Sequence, residues 1–273
     1  MRFLLFVVIG FFVLRYVLRW LSWRKVINLF KKYSIITFGP RGSGKDLLNS
    51  NVVAYRKKPY CSNMNYCEGI KKEPLRYPFN PVYIRLGGNT FENFASNKII
   101  PYDYPLPDKC DFYISDAGVY FPAHEDSSLN KKYPEIPMFQ ALVRHLGDSN
   151  FHCNIQNPER LWKKIREQAE LYIRCIDCKV SKRGVVTQKI MVYDRYQSAV
   201  DNVEPLQVSL PLLGKGVKTD IKLTRAKFKA QYGNIWSYKI KYKNKARYDS
   251  RRFKRILEQG SKFENENIVK KVV

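Results

Sequence analysis

Eight consecutive residues, Gly39-Pro40-Arg41-Gly42-Ser43-Gly44-Lys45-Asp46, meet every fixed position of the pattern G-x-x-x-x-G-K-[ST] except the last, where Asp46 stands for the hydroxyl. The neighbours suit the pattern. Ser34-Ile-Ile-Thr-Phe38 reads as a short buried strand, and Asp46-Leu-Leu-Asn-Ser-Asn-Val-Val-Ala54 can begin a helix. A strand, a glycine turn and a helix N-terminus bring backbone N–H groups and a positive dipole end to one point, which is what binding a phosphate requires. Residues Gly39 through Asp46, with Leu47 in the first helical turn, are therefore the candidate phosphate-binding set. Lys45 is the cation for the outer phosphates, and Asp46 takes the place of the hydroxyl that usually touches Mg²⁺.

Such a loop needs a second acid, at the end of a neighbouring buried strand, to orient Mg²⁺ and its waters. The run Cys110-Asp-Phe-Tyr-Ile-Ser-Asp116 supplies Asp116. Asp46 and Asp116 are thus the expected metal-side residues. The next residue is Ala117 where many ATPases carry a water-polarising glutamate. Glu125, Asp126, Glu135 and His124 in the following loop are the alternatives, and the sequence does not select among them.

The elements that must position these groups alternate. Strands are expected at Pro81–Leu86 and Phe151–Gln156, a helix at Glu135–His145, and a helix opened by Asn157-Pro158 that carries Arg160, Leu161, Ile165 and Arg166. Strands at Glu170–Val180 and Gly184–Asp194 flank the turn Ser181–Gly184, a hairpin at the end of a mostly parallel sheet. Three segments follow: 1–30, an N-terminal anchor; 31–199, the α/β domain; and 200–273, a basic, loosely patterned extension.

With 273 residues, 45% of them hydrophobic, wholesale disorder is excluded. The net charge is +25, and between Lys215 and Arg255 stand 15 Lys or Arg against Asp220 and Asp249. That stretch reads as a solvated tail, a nucleic-acid footprint or an anionic-lipid surface. Its interleaved aromatics, Phe228, Tyr232, Trp236, Tyr238, Tyr242, Tyr248 and Phe253, can stack on bases or pack a small core. The six cysteines do not form a disulfide framework: Cys61 and Cys67 fall in a polar loop, and Cys175 and Cys178 on a buried strand. At the N-terminus, Phe3 to Leu14 is apolar and, if Arg15 and Arg19 snorkel, the stretch to Trp23 is long enough to cross a bilayer. Tyr16, Trp20 and Trp23 read as an interfacial belt. Arg24, Lys25, Lys31 and Lys32 place the body of the chain in the cytoplasm.

Beyond the loop, the order Asp116-Ala-Gly-Val-Tyr-Phe-Pro122, Arg144-His145-Leu146-Gly147, Ile155-Gln156 and Lys164-Ile165-Arg166 resembles the zonula occludens toxin (Zot)-like family, which includes filamentous-phage assembly ATPases and is similar to FtsK/HerA-type DNA motors. The likeness spans roughly residues 34 to 195. It implies an α/β P-loop NTPase that takes ATP and Mg²⁺. Lys45 would contact phosphate, Asp116 serve Mg²⁺, Gln156 sense the γ-phosphate, and Arg144 reach a neighbouring subunit's nucleotide in a homo-oligomeric ring. The implied place is the host inner membrane, crossed once, with phage DNA or nucleoprotein and coat or assembly proteins as partners. The sequence departs from the family at Asp46, at Ala117, and in carrying its anchor before the ATPase domain. Two other functions fit the same residues: a membrane-tethered nucleic-acid adaptor that binds nucleotide without hydrolysing it, and a DNA packaging or translocation motor.

Overall fold

Strand β1 (Ile35–Phe38) is buried at all four positions, the pattern of a strand covered on both faces. A computed structural model of the protein describes residues 2–64, 66–67, 73–78, 109–132, 137, 140, 143, 149–206 and 215–246. The further strands are β2 (Tyr60–Ser62), β3 (Arg76–Pro78), β4 (Asp111–Ile114), β5 (Phe151–Ile155), β6 (Leu171–Val180), β7 (Val185–Tyr193) and β8 (Ile235–Lys243). They form one eight-stranded sheet in the order β3-β2-β4-β5-β1-β6-β7-β8. Pairing is parallel from β3 through β6 and antiparallel from β6 to β8. The α/β class and the mostly parallel sheet follow. So does the terminal hairpin, whose strands match the expected ranges within a residue at either end.

Side-chain alternation divides the core. Ile36, Phe38, Phe112, Ile114, Phe151, Cys153 and Ile155 point to one face and pack with Phe121, Leu161 and Trp162. The opposite face carries Ile35, Tyr113 and Ile173 beneath α1 (Arg2–Lys32) and α2 (Lys45–Arg56), through Trp23, Val26, Phe30, Leu48, Val52 and Val53. His152 lies on this face between Phe30 and Tyr113, with ring centroids 5.1 and 4.6 Å away. Burial and the nearby charges of Arg56 and Lys58 hold its pKa well below the ordinary histidine value, so it stays neutral. At the far end of α2, Arg56 donates to the Phe30 carbonyl at 2.7 Å and pairs with buried Asp111, which also accepts from Lys58 at 2.8 Å. One ionic cluster thereby joins both helices to β4.

Four expectations change. Residues 200–273 are not only a loose tail: α7 (Lys215–Tyr232) and β8 lie within them, and β8 pairs along the whole of β7. Apolar residues every second position, Ile240 and Tyr242 among them, make β8 a one-sided strand whose basic residues alternate outward. Trp23, expected in a membrane interface, is 1% exposed and stacked on Tyr242 at 4.1 Å, so the end of α1 belongs to the core. The helix expected from Asn157 is broken: a 3₁₀ turn at Pro158–Arg160 gives way to extended Leu161, and α5 (Lys163–Glu167) follows. Leu161 bridges Pro122, and the Trp162 amide donates to the Phe121 carbonyl at 2.9 Å, so a tertiary contact outcompetes the local helix. Cys61 and Cys67 are buried, Cys61 on β2, not in a polar loop.

The expected strand at 81–86, most of the helix at 135–145, Tyr248 and Phe253 lie outside the described residues. Among the described residues no helix is long and apolar enough to cross a membrane. In the described part of α1, large apolar side chains from Ile9 to Leu21 face outward, Phe12 with 62% exposure. The short helices α3 (Ala117–Tyr120), α4 (Asp126–Lys132) and α6 (Tyr196–Val200), with a 3₁₀ turn at Ala123–Glu125, complete the described elements.

Candidate nucleotide-binding site

The turn from β1 into α2 is fixed from three sides. The Gly39 N–H donates to the Gln156 carbonyl at the end of β5, at 3.2 Å. Gly39 has φ 143°, and a Cβ there would lie 2.3 Å from the Cys175 carbonyl oxygen of β6; at Gly44, φ 85°, a Cβ would lie 2.7 Å from Cys178 Sγ. Only glycine allows this close approach of the loop to β6. From β7, Gln188 Nε2 donates to the carbonyls of Ser43 (3.0 Å) and Gly44 (3.1 Å). Gln188 is held in turn by the Tyr242 hydroxyl of β8 at 3.1 Å.

The chemistry of an anion cradle results. The first bond closing α2 runs from the Leu48 N–H to the Gly44 carbonyl at 2.8 Å, so the amides of Lys45, Asp46 and Leu47 precede the helical ladder. The N-cap, Gly44, makes no side-chain cap. Lys45 is buried, its Nζ donating to the carbonyls of Gly39 (2.8 Å) and Pro40 (3.0 Å), which draws a positive charge over the same amides. The buried Ser43 hydroxyl has no hydrogen-bond partner within the protein. Pro40, Arg41 and Gly42 are exposed at the tip. Leu47 is core, so only its amide is offered to a ligand.

Asp46 sits at the C-terminal edge of the sheet under α2, in a polar layer of residues that share one face. Its Oδ1 accepts from the Ser115 hydroxyl at 3.2 Å and from Asn154 Nδ2. Nearby, the Thr37 hydroxyl donates to Asn49 Oδ1 at 3.3 Å. Burial, and then the charge of Asp116, raise the Asp46 pKa above the ordinary carboxylate value; Lys45 and the two hydrogen bonds oppose this. Asp116 itself is placed differently from expectation. Strand β4 ends at Ile114, and parity turns Ser115, with Tyr113, toward α2, leaving Asp116 exposed at the cap of α3 with φ 49°. The residue bonded to Asp46 is Ser115.

Gln156 directly follows β5, one residue past the strand expected to end on it, and is exposed beside the loop, though only its backbone bonds there. Arg144 lies outside the described residues. Arg166 is away from the loop, its guanidinium 4.7 Å from the Tyr196 ring centre and bonded to that hydroxyl. Tyr242 is core, which removes it from the aromatics free to stack on bases. Ser115, Asn154 and Gln188 were not singled out from sequence, and Tyr242 was named only among the aromatics that can stack on bases or pack a small core. Parity along β4 and β5 was the available signal for the first two.

A mostly parallel sheet whose central strand enters a glycine loop and the N-terminus of a helix, with a lysine buried in that loop, defines a P-loop fold. No protein-family model and no curated protein matches the chain. Solved structures that it is similar to include the N-terminal domain of zonular occludens toxin from Neisseria meningitidis, at 17% identity and TM-score 0.38, covering 65% of this chain and 94% of that one. They also include the DNA-packaging ATPase of Sulfolobus Turreted Icosahedral Virus, at 12% identity and TM-score 0.38, over 60% and 92% of the two chains. The genome-packaging NTPase of Sulfolobus turreted icosahedral virus 2, in complex with AMP, matches at 14% identity and TM-score 0.37, over 67% and 99%.

Proposed function

We propose that the protein is a membrane-tethered P-loop ATPase that binds Mg·ATP and uses its hydrolysis to drive assembly or extrusion of a filamentous phage. The observation that carries nucleotide binding is the loop: three unladdered amides and the buried Lys45 ammonium converge where Gly39 and Gly44 let the backbone press against β6. The sequence resemblance to Zot-like assembly ATPases supplies ATP, the ring and the phage cargo.

The donor set suits Mg²⁺. Carboxylate, hydroxyl and amide oxygens of Asp46, Ser115 and Asn154 are hard ligands, and Asn154 Oδ1 is buried with no hydrogen-bond partner. Among the described residues no trio of His, Cys, Asp or Glu could hold a metal by itself. Mg²⁺ of this kind needs only one or two protein groups beside the phosphates. Held there beside ATP, Mg²⁺ would supply charge neutralisation at the phosphates. The chain's own part is to hold phosphate on Lys45 and the loop amides, to orient the cation side with Asp46, and to present Asp116 and Gln156 from the strand ends to the attacking water. Arg144 would complete a neighbour's site in a ring.

Segment 3–21 is the proposed tether to the inner membrane, with the body cytoplasmic. Its support is the row of outward apolar side chains on α1 ahead of Arg24 and Lys25. A specific observation favours one second reading, a nucleotide-dependent switch without turnover: the hydroxyl is missing from position 46 and a glutamate from position 117.

Phosphate release and equilibrium ATP binding by the detergent-extracted chain, beside Lys45→Ala, test the proposal. Wild type should bind ATP and release phosphate only with Mg²⁺, and Lys45→Ala should bind about 100-fold more weakly. Binding without phosphate release selects the switch. Equal affinity of the two proteins sinks both.

A further inference from the structure

We propose that Asp46 and Ser115 are a reciprocally exchanged cation pair: the carboxylate that P-loop proteins place at the strand end stands here on the helix, and the hydroxyl they place on the helix stands at the strand end. This deepens the nucleotide-binding reading and rests on it.

The usual arrangement holds Mg²⁺ with a Ser or Thr of the loop and an Asp of the neighbouring strand. Considered alone, Asp46 is a defect in that scheme, since it adds negative charge where a hydroxyl belongs. Considered with its partner, it is half of a conserved chemistry. Ser115 stands on the residue that directly follows β4, buried and on the face turned to α2, and its hydroxyl donates to Asp46 Oδ1 at 3.2 Å. The pair therefore keeps one carboxylate and one hydroxyl, and one negative charge, across the same gap.

Ser115 is held for this contact. Asn63 accepts from its N–H at 2.9 Å and donates to its carbonyl at 2.9 Å, a two-bond clamp on the peptide. Asp46 is held as well, by Asn154 from β5, between the loop strand and β4. A carboxylate at 115 opposite Asp46 would place two negative charges within hydrogen-bond distance, and a serine at 46 opposite Ser115 would leave none. Each single change breaks the pair, and the double change restores it in the usual orientation.

The exchange also moves the register by one. With Ser115 as the strand-end member of the pair, the residue after it is Asp116, an acid, at the position where a water-polarising carboxylate is otherwise found. Ala117 is then one residue beyond that position, and the missing glutamate is not missing.

The test is the Mg²⁺ dependence of ADP affinity, read by calorimetry, with Mn²⁺ bound to the ADP-loaded protein counted by electron paramagnetic resonance. The proteins are wild type, Asp46→Asn, Asp46→Ser, Ser115→Asp and the double variant Asp46→Ser/Ser115→Asp, each in the full chain. Wild type should gain at least about tenfold in ADP affinity from Mg²⁺. Asp46→Asn, which keeps the shape, and Asp46→Ser should lose that gain and the bound Mn²⁺. Ser115→Asp should bind ADP more weakly than wild type when Mg²⁺ is absent. The double variant should recover the Mg²⁺ gain to within about threefold of wild type. Full Mg²⁺ enhancement in Asp46→Asn, or a double variant no better than the worse single, overturns the exchange while nucleotide binding stands. If wild type binds no ADP, the nucleotide reading fails and the exchange with it.

Discussion

Asp116 is two residues past the end of β4, exposed, and close enough to Asp46 that its charge lifts the Asp46 pKa. An exposed carboxylate beside a phosphate cradle can accept a proton from water or orient it without touching the ligand. Asp116→Asn should therefore leave ATP affinity within about threefold of wild type and lower phosphate release about 100-fold. A parallel loss of affinity would place Asp116 on the cation instead. At this scale the sequence was informative wherever a fixed pattern exists. Gly39 to Lys45 could be read because each position answers to a backbone requirement, and Asp46 was visible as the exception. Ser115 was not visible. Whether it or Asp116 faces α2 depends on where β4 ends, and a one-residue shift of a strand exchanges its two faces.

The elements around the loop form a line of contacts from α1 to the phosphate cradle. Trp23 of α1 stacks on Tyr242 of β8, whose hydroxyl donates to Gln188 of β7, whose amide donates to the carbonyls of Ser43 and Gly44. Gln188 is 1% exposed, so its loss strands two carbonyls away from water, at about 1–3 kcal/mol for a buried unsatisfied group. Gln188→Leu should lower the denaturant midpoint and weaken ATP binding about tenfold. Tyr242→Phe should do less, at roughly 1 kcal/mol. The two together should cost less than their sum, because they share a chain of bonds. A lowered midpoint with unchanged affinity would make the line a scaffold only. None of it was legible from sequence, for a definite reason. The strands β6 and β7 were readable from alternation and the Ser181–Gly184 turn. Strand β8, in contrast, is separated from β7 by α6, α7 and a run of basic residues, and only the pairing across that distance shows that Ile240 and Tyr242 are core. High charge disguised a strand as a tail.

At the scale of the whole molecule, α1 has two unlike ends. From Trp23 onward it is packed into the core, while between Ile9 and Leu21 its large apolar side chains stand 39–62% exposed. Cations border that change: Arg24 lies over the Trp20 ring at 4.1 Å, and Lys241 Nζ of β8 is 6.0 Å from the Tyr16 ring centre. Exposed Lys239 and Lys243 extend the basic edge along the same strand. An apolar rod leaving a cationic shoulder suits a bilayer with anionic headgroups, the rod contributing apolar burial and the shoulder electrostatic attraction. Salt separates the two contributions, since attraction between exposed charges is screened within about 3 Å at 1 M ionic strength and burial of apolar surface is not. The full chain should float with phosphatidylglycerol-containing vesicles at low salt and still float at 1 M NaCl. Phe12→Glu/Leu14→Glu should float at low salt only, because the shoulder remains and the rod no longer inserts. Release of the wild type by 1 M NaCl would mean that the basic edge alone makes the contact, and the tether would have to be abandoned. Should the wild type stay bound, the line from Trp23 through Tyr242 and Gln188 joins that membrane-held helix to the two carbonyls that shape the phosphate loop. The ATP affinity of vesicle-bound protein should then differ from that of detergent-extracted protein, and the difference should vanish in Gln188→Leu.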